Sequence, residues 1–131
     1  NKITWSRISG FPHSSFQWRS PDGSAVLAHV SHEARQFYNG QATVRELSDG
    51  AESYRQSDVH DAFLAPTGYG DGGGGPTEEM CERVRRLADL ASLPRAQWGG
   101  VEAYFERLQR SAGRLPVWDG EIYLEYHRGT Y

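Results

Sequence analysis

The sequence predicts an α/β fold, and three observations from the middle of its 131 residues onward point to that class. Residues 62–65 form a short apolar run without alternation, which is typical of a strand buried on both faces. Two segments with apolar residues at helical spacing follow it. Residues 122–127 then alternate apolar and polar side chains, which predicts a final strand. This order of elements favours parallel strands and a site at their carboxyl ends.

The first third predicts short strands at residues 3–5, 15–18 and 25–30. The last two are separated by Pro21-Asp22-Gly23, in which Pro presets φ, Asp caps the turn and Gly accepts a positive φ. A β-hairpin is therefore expected here. Part of the polar stretch that follows, residues 41–56, predicts a helix with Val44 and Leu47 facing inward.

The two helices of the second half have clear boundaries. For the first, Thr77 is a plausible N-cap, acidic residues follow it, and Pro94 is a stop signal. We expect an apolar stripe of Met80, Val84, Leu87 and Ala91, with Cys81 as a small core residue. The second helix is predicted over residues 100–110, with an inward stripe of Val101, Tyr104, Phe105 and Leu108. Trp18 and Trp118 are expected in the core, and Asp119-Gly120 in a turn at the start of the final strand.

Composition limits the classes of partner. Hydrophobic residues make up 37% and charged residues 24%, which is typical of a soluble globular domain. The formal net charge is -3 and no basic stripe stands out, so nucleic acid is not an expected partner. No apolar run is long enough to span a membrane, so no membrane association is expected. The absence of an initiating Met and of a terminating signal suggests that the protein continues on both sides.

The glycine-rich segment at residues 68–77, GYGDGGGGPT, is the most informative part of the chain, and it allows several interpretations. Gly68, Gly70 and Gly73 match G-x-G-x-x-G before a helix, so a nucleotide-binding loop must be considered. A phosphate-binding P-loop does not fit, because no Lys precedes Thr77. The segment could also be a flexible linker. In a further interpretation, a crowded backbone presents Asp71, the only ionisable group of the loop, to a ligand. Taken alone, an Asp in such a loop more often caps its own turn.

Three segments together resemble the cytosolic and bacterial branch of the glycoside hydrolase family 38 α-mannosidases. Residues 11–18 (FPHSSFQW), with 22–24 (DGS) and 26–29 (VLAH), resemble its F-P-H-x-x-F-x-W, D-G-S and V-L-x-H stretch. Residues 68–77 are similar to its G-x-G-D-G-G-G-G-P-T loop. Residues 115–125 (LPVWDGEIYLE) and 127–131 (HRGTY) resemble its L-P-V-W-D-G-E-L-Y-L-E and H-R-G-T-Y run.

This resemblance implies that residues 1–131 are an internal fragment of a catalytic domain, the later part of an irregular α/β barrel that is incomplete in this chain. It implies a cytoplasmic enzyme that hydrolyses α-mannosidic bonds in oligosaccharides with retention, through a covalent glycosyl-enzyme intermediate. It also implies a zinc cofactor. The family's zinc-ligand and nucleophile motifs do not occur here, so we expect them outside this chain. The chain alone is then predicted to be inactive, its partners being an α-mannoside and the remainder of its own catalytic domain.

Family site residues carry over onto two positions, and three further candidates follow the carboxyl end of the predicted final strand. Asp71 matches the acid/base aspartate, and Tyr38, in residues 38–43 (YNGQAT), matches a substrate-contacting tyrosine. His127, Arg128 and Tyr131 are expected to contact sugar hydroxyls. His29 and His32 have a spacing that could suit a metal, but ordinary hydrogen-bonded histidines are favoured. A nucleotide-binding α/β domain and a non-catalytic sugar-binding relative remain alternatives.

Overall fold

The computed structural model describes residues 11–30, 39–70, 73–120 and 122. Within them, three helices and three strands form a small α/β fold with a mixed, open sheet in the order β2-β1-β3. The elements are β1 (Ser15–Arg19), β2 (Ala25–His29), α1 (Val44–Ser53), α2 (Glu78–Arg86), α3 (Val101–Gln109), a 3-10 turn (Ala112–Arg114) and β3 (Val117–Asp119). The α/β class is thus confirmed. The predicted strand at residues 3–5 and nearly all of the one at 122–127 lie outside the described residues.

The predicted hairpin is confirmed, and its turn shows why the sequence encodes it. Strands β1 and β2 pair antiparallel, with Phe16 opposite Ala28. Gly23 has a φ of 89°, and its N–H donates to the Ser20 carbonyl over 2.9 Å. The Asp22 carboxylate accepts from the Ser24 N–H over 2.9 Å, so it ties its own turn.

Strand β3 pairs parallel with β1, with Gln17 opposite Val117 and Arg19 opposite Asp119. The guanidinium of Arg19 donates to both Asp119 carboxylate oxygens, over 2.7 and 2.6 Å. The prediction that Asp119 belongs to a turn at the start of the final strand was therefore wrong. Asp119 ends β3, because the pairing with β1 begins earlier than the alternating pattern of residues 122–127 indicated.

Two buried clusters lie beside the sheet. The first consists of Phe11, Phe16, Val30 and Ile122, with Trp18 and Trp118 packed against it, as predicted for the two tryptophans. Its aromatic rings meet edge to face, with 5.0 Å between the Phe11 and Phe16 centroids, a favoured geometry. The second cluster consists of Tyr104, Leu108 and Leu115, so that α3 covers the polypeptide around Ala62 and Leu64.

Thr77 is the N-cap of α2, as predicted, and its hydroxyl accepts from the Met80 N–H over 3.2 Å. Met80, Val84 and Leu87 are buried. The helix ends at Arg86, before the Pro94 stop signal, so Ala91 lies beyond it and is exposed. Cys81 is exposed, contrary to the core assignment, because it lies about 100° around the helix axis from Met80.

Two inward predictions failed for the same reason. Val44 and Val101 are 53% and 58% exposed, whereas Leu47 and Tyr104, three residues later, are buried. Val44 and Val101 are the first residues of their helices. A helical side chain covers the turn that precedes its own Cα, which for a first residue lies beyond the helix.

Residues 62–65 do not form a strand, and they are half-buried rather than buried on both faces. The Leu64 N–H donates to His29 Nε2 over 3.3 Å, so this amide is bound by a side chain. Ala62 and Leu64 pack against the second cluster. The apolar run thus reflects packing against α3. Within the described part of the chain, its only ladder pairing is a single parallel bridge just beyond it, between Thr67 and Gly40.

Candidate active site

The five predicted site residues, Asp71, Tyr38, His127, Arg128 and Tyr131, lie outside the described residues, as does His32. The structure nevertheless describes the chain on both sides of Asp71 and the residues that directly follow Tyr38. These flanking residues define the surroundings of the candidate site.

In the glycine loop, residues 68–77, the described residues on either side of positions 71 and 72 lie close together. The Tyr69 N–H donates to the Gly75 carbonyl over 3.0 Å. A Cβ on Gly74 would collide with the Tyr69 carbonyl oxygen, and one on Gly68 would lie 2.7 Å from the Pro76 nitrogen. Gly68 also has a φ of 123°, which favours glycine. The two arms of the loop are therefore too close together for side chains at these positions, which is not how a flexible linker is built.

A second segment, residues 39–43, lies against the base of this loop and is called the asparagine bracket below. The Gly40 N–H donates to the Pro66 carbonyl over 3.0 Å, and the Gly68 N–H donates to the Gly40 carbonyl over 2.8 Å. The side-chain oxygen of Asn39 accepts from the Gly70 N–H over 2.9 Å. The residue after Tyr38 thus contacts the residue before Asp71, so the chain brings the neighbours of these two predicted site residues together.

Two helices hold the bracket in place. The Glu46 carboxylate of α1 accepts from the Gln41 N–H at 3.0 Å and from the Thr43 N–H at 2.9 Å. The Thr43 hydroxyl accepts from the Glu46 N–H at 3.2 Å, which completes a capping box. From α2, Arg83 donates to the Gln41 carbonyl over 3.0 Å.

Sequence reasoning singled out Tyr38 in this motif and missed the roles of the residues after it. The capping box at Thr43 and Glu46 could have been found, because a Thr followed three residues later by Glu is a helix-start signal. The contact of Asn39 had no such signal. Its partner is a backbone amide 31 positions along the chain, and every residue offers such an amide.

His29 belongs to a buried polar network, not to a metal site formed by described residues. Its Nδ1 lies 2.9 Å from the Ser15 hydroxyl and 2.9 Å from the Tyr104 hydroxyl. The Tyr54 hydroxyl lies 3.0 Å from the Ser15 hydroxyl. Burial raises the pKa of Tyr54 and of Tyr104, so both phenols stay protonated. The network ties β1 and β2 to α3 and is the hydrogen-bonded role that was favoured for His29.

Gln56 is a further residue that the sequence did not reveal. Its side-chain oxygen accepts from the Ser14 and Ser15 N–H groups, over 2.7 and 2.8 Å. Gln56 is buried, so the two amides at the start of β1 depend on it for their partners.

The described residues contain no group of three or more His, Cys, Asp or Glu side chains that could hold a metal ion. They therefore do not provide the zinc site that the resemblance implies. In the same part of the chain, no helix combines the length and apolar character needed to cross a membrane.

Residues 1–121 match the family model described as "Glycosyl hydrolases family 38 N-terminal domain", so the chain belongs to this glycoside hydrolase family. Among curated proteins, it is 38% identical over 130 residues to Alpha-mannosidase G of Dictyostelium discoideum. It is 39% identical over 132 residues to Alpha-mannosidase 2C1 of Homo sapiens and 34% identical over 139 residues to an Alpha-mannosidase of Saccharomyces cerevisiae. Each match covers 99% of this chain but only 12–13% of the relative's length.

Family membership confirms the assignment to glycoside hydrolase family 38 that the three motifs indicated, and the match covers nearly the whole chain. It places the glycine loop and the asparagine bracket within the N-terminal domain of an α-mannosidase family. The chain spans about 12% of the length of the relatives it matches, so these matches define its family and not the activity of the whole protein.

Proposed function

We propose that this chain is part of the catalytic domain of a retaining α-mannosidase that hydrolyses α-mannosidic bonds in oligosaccharides, with Asp71 as its acid/base. The glycine loop is the observation that supports this role most directly. Its arms are too close for side chains at Gly68 and Gly74, and Asp71 is the only carboxylate between Gly68 and Thr77. A loop so built brings a single carboxyl group close to a ligand without competing side chains.

The proposed reaction has two steps. First, Asp71 gives its proton to the glycosidic oxygen while a carboxylate outside this chain attacks the anomeric carbon, and the C–O bond to the leaving group breaks. Asp71, now ionised, then takes a proton from water as that water displaces the enzyme carboxylate from the sugar. In retaining enzymes the two carboxyl groups lie about 5–5.5 Å apart, so the loop has to project Asp71 towards the nucleophile.

The remaining assignments belong to the same proposal. Residues 1–131 form the later part of the irregular barrel and need the rest of the catalytic domain to complete it. Tyr38, His127, Arg128 and Tyr131 contact sugar hydroxyls, zinc is bound by residues outside this chain, and the enzyme is cytoplasmic. The asparagine bracket supports the placement of Tyr38 near Asp71, because Asn39 and Gly70 are in contact.

The acid/base assignment is tested by an Asp71→Asn change in the complete protein. Cleavage of a substrate with a poor leaving group should fall by about 10²–10⁴-fold, because proton donation is lost. The first step on a dinitrophenyl α-mannoside, whose leaving group needs no proton, should persist, and added azide should restore turnover. Asp89→Asn, at an exposed carboxylate paired with Arg95, is the matched control and should leave activity unchanged.

Near wild-type cleavage by the Asp71→Asn protein would show that the acid/base assignment is wrong. A wild-type protein that binds mannosides without any turnover would instead identify a non-catalytic relative. Incubation of the isolated 131-residue chain with an aryl α-mannoside and zinc tests the prediction that it is inactive alone. Turnover above background would contradict that prediction.

A further inference from the structure

One side-chain contact anchors the glycine loop just before Asp71. The oxygen of Asn39 accepts from the Gly70 N–H over 2.9 Å, whereas the other described anchors of the loop's base are backbone hydrogen bonds, from Gly68 to Gly40 and from Tyr69 to Gly75. We propose that Asn39 is a positioning residue that orients the Asp71 carboxyl group through the Gly70 amide. This inference rests on the proposed acid/base role of Asp71.

The loop needs such an anchor because its own sequence specifies little geometry. Gly70 precedes Asp71 and four glycines follow it, and glycine accepts more backbone conformations than any other residue. A hydrogen bond to Gly70 removes this freedom one peptide before the carboxyl group. The dependence is mutual, since a Cβ on Gly70 would lie 2.8 Å from the Asn39 side-chain oxygen.

Asn39 can act as an anchor because its own backbone is fixed. The next residue, Gly40, is hydrogen-bonded to Pro66 on one side and to Gly68 on the other. A Cβ on Gly40 would lie 2.7 Å from the Pro66 carbonyl oxygen, so the two segments are in close contact. Asn39 therefore projects from a segment that is joined to the chain entering the loop.

The amide also provides an acceptor without a charge. An aspartate at position 39 would have the same shape and could accept the same hydrogen bond, but it would place a negative charge at the amide that directly precedes Asp71. A neighbouring like charge raises the pKa of a carboxylic acid. An asparagine at this position thus fixes the loop without adding a charge beside it.

The test compares three variants of the complete protein. Asn39→Ala should lower kcat by about 10- to 100-fold on a mannoside with a poor leaving group, since small misplacements of a catalytic group have effects of this size. Its KM should change less than about twofold. The loss in kcat/KM, which reports the first step, should be much smaller on a dinitrophenyl mannoside, because that leaving group needs no proton. Asp89→Asn, at an exposed carboxylate paired with Arg95, is again the control and should match wild type.

Asn39→Asp supplies the readout that a merely structural role would not change. It keeps the acceptor, so activity at the pH optimum should be largely retained, while the basic limb of the kcat/KM profile should move to higher pH. An unshifted limb would overturn the inference, as would equal losses for both leaving groups in Asn39→Ala. If Asn39→Ala does not fold, the Asn39→Asp profile alone decides.

The Asp71→Asn variant separates the two proposals. If it retains activity on the poor leaving group, the acid/base assignment fails whatever the Asn39 variants do. If it loses that activity while Asn39→Ala does not, the acid/base assignment stands and the positioning role of Asn39 fails.

Discussion

The sheet and the glycine loop are held together in opposite ways. Around β1, Phe16 is fully buried, and polar groups such as Ser15 are satisfied inside the fold. In the glycine loop, Tyr69 is 54% exposed, and the backbone is held by hydrogen bonds and by contacts that exclude a Cβ. Buried side chains hold the sheet together, whereas the close backbone contacts of the loop require glycines without side chains.

This contrast separates stability from positioning. Burial of large apolar groups stabilises a fold by removing apolar surface from water. Close backbone contacts around a loop with many glycines contribute little burial, but they limit the directions in which one carboxyl group can point. Substitutions near β1 should therefore change the free energy of unfolding, whereas substitutions in the loop should change activity first.

The largest effect on stability is expected for Phe16→Ala, which removes a fully buried ring from the first cluster. We expect the free energy of unfolding to fall by about 3–5 kcal/mol, as for other buried aromatic truncations. Amide hydrogen exchange of the β1 region in the complete protein would measure it. Val26→Ala, at a 61% exposed position on the neighbouring strand, should cost less than about 1 kcal/mol. Similar losses for both would contradict the contrast.

Gly74→Ala should have the next largest effect on the fold and a larger one on activity. The new methyl group meets the Tyr69 carbonyl, so the arms of the loop must separate, at a cost of about 1–3 kcal/mol. Gly75→Ala is the matched control, because a Cβ there meets nothing within 4 Å. Mannosidase assays of both variants, with limited proteolysis of the loop, check this. Equal activity of the two would show that the close approach has no functional role.

Thr43→Ala should cost about 1 kcal/mol, because it removes the hydroxyl that accepts from the Glu46 N–H at the start of α1. The effect should be confined to this helix and to the bracket before it. Amide exchange of peptides covering α1 would measure the change. Ser48→Ala, at a helical position whose hydroxyl makes only a long 3.4 Å contact with Glu52, should change exchange by less than about 0.5 kcal/mol.

The smallest effect is a pH dependence that belongs to the buried region. His60 is 4% exposed, burial lowers its pKa, and its Nε2 has no hydrogen-bond partner among the described residues. Because the unfolded state then binds the proton more readily, the contribution of His60 to stability is present above its unfolded pKa of about 6.5. It is lost as the pH falls through the lower folded value. His60→Gln should flatten the decline in thermal midpoint between about pH 7 and pH 5. An unchanged decline would assign the pH dependence to other groups. His13, whose pKa is also lowered by burial, is one of them.

Local signals were predicted well from the sequence because their physics is local. The turn at Asp22-Gly23 and the cap at Thr77 depend on residues within three or four positions, and both have the predicted geometry. The inward faces of the helices were predicted at Leu47, Tyr104 and Leu108. Errors arose where the apolar pattern continued past the end of its helix, as at Ala91. They also arose where the pattern included the first residue of a helix, as at Val44 and Val101.

What could not be predicted depends on distant partners. The run at residues 62–65 looks like a strand because its side chains pack against α3, which only the tertiary structure brings there. Of the candidate site, the sequence indicated the glycine loop and, by resemblance, Asp71 and Tyr38, which remain predictions. The hydrogen bonds of Gly40 with Pro66 and Gly68 connect the bracket to the loop. They join backbone groups, which every residue has, so the sequence gives no sign of them.

The parallel pairing of β1 with β3 has a consequence for how the polypeptide reaches its native state. Gln17 and Val117 are partners although a hundred positions separate them, so the central strand gains its second neighbour only after the residues between them have been synthesised. Contacts of such high sequence separation require a large loop to close before they contribute, and they slow folding. We expect the β1–β2 hairpin to form early. The second edge of β1 then stays unpaired until β3 pairs with it.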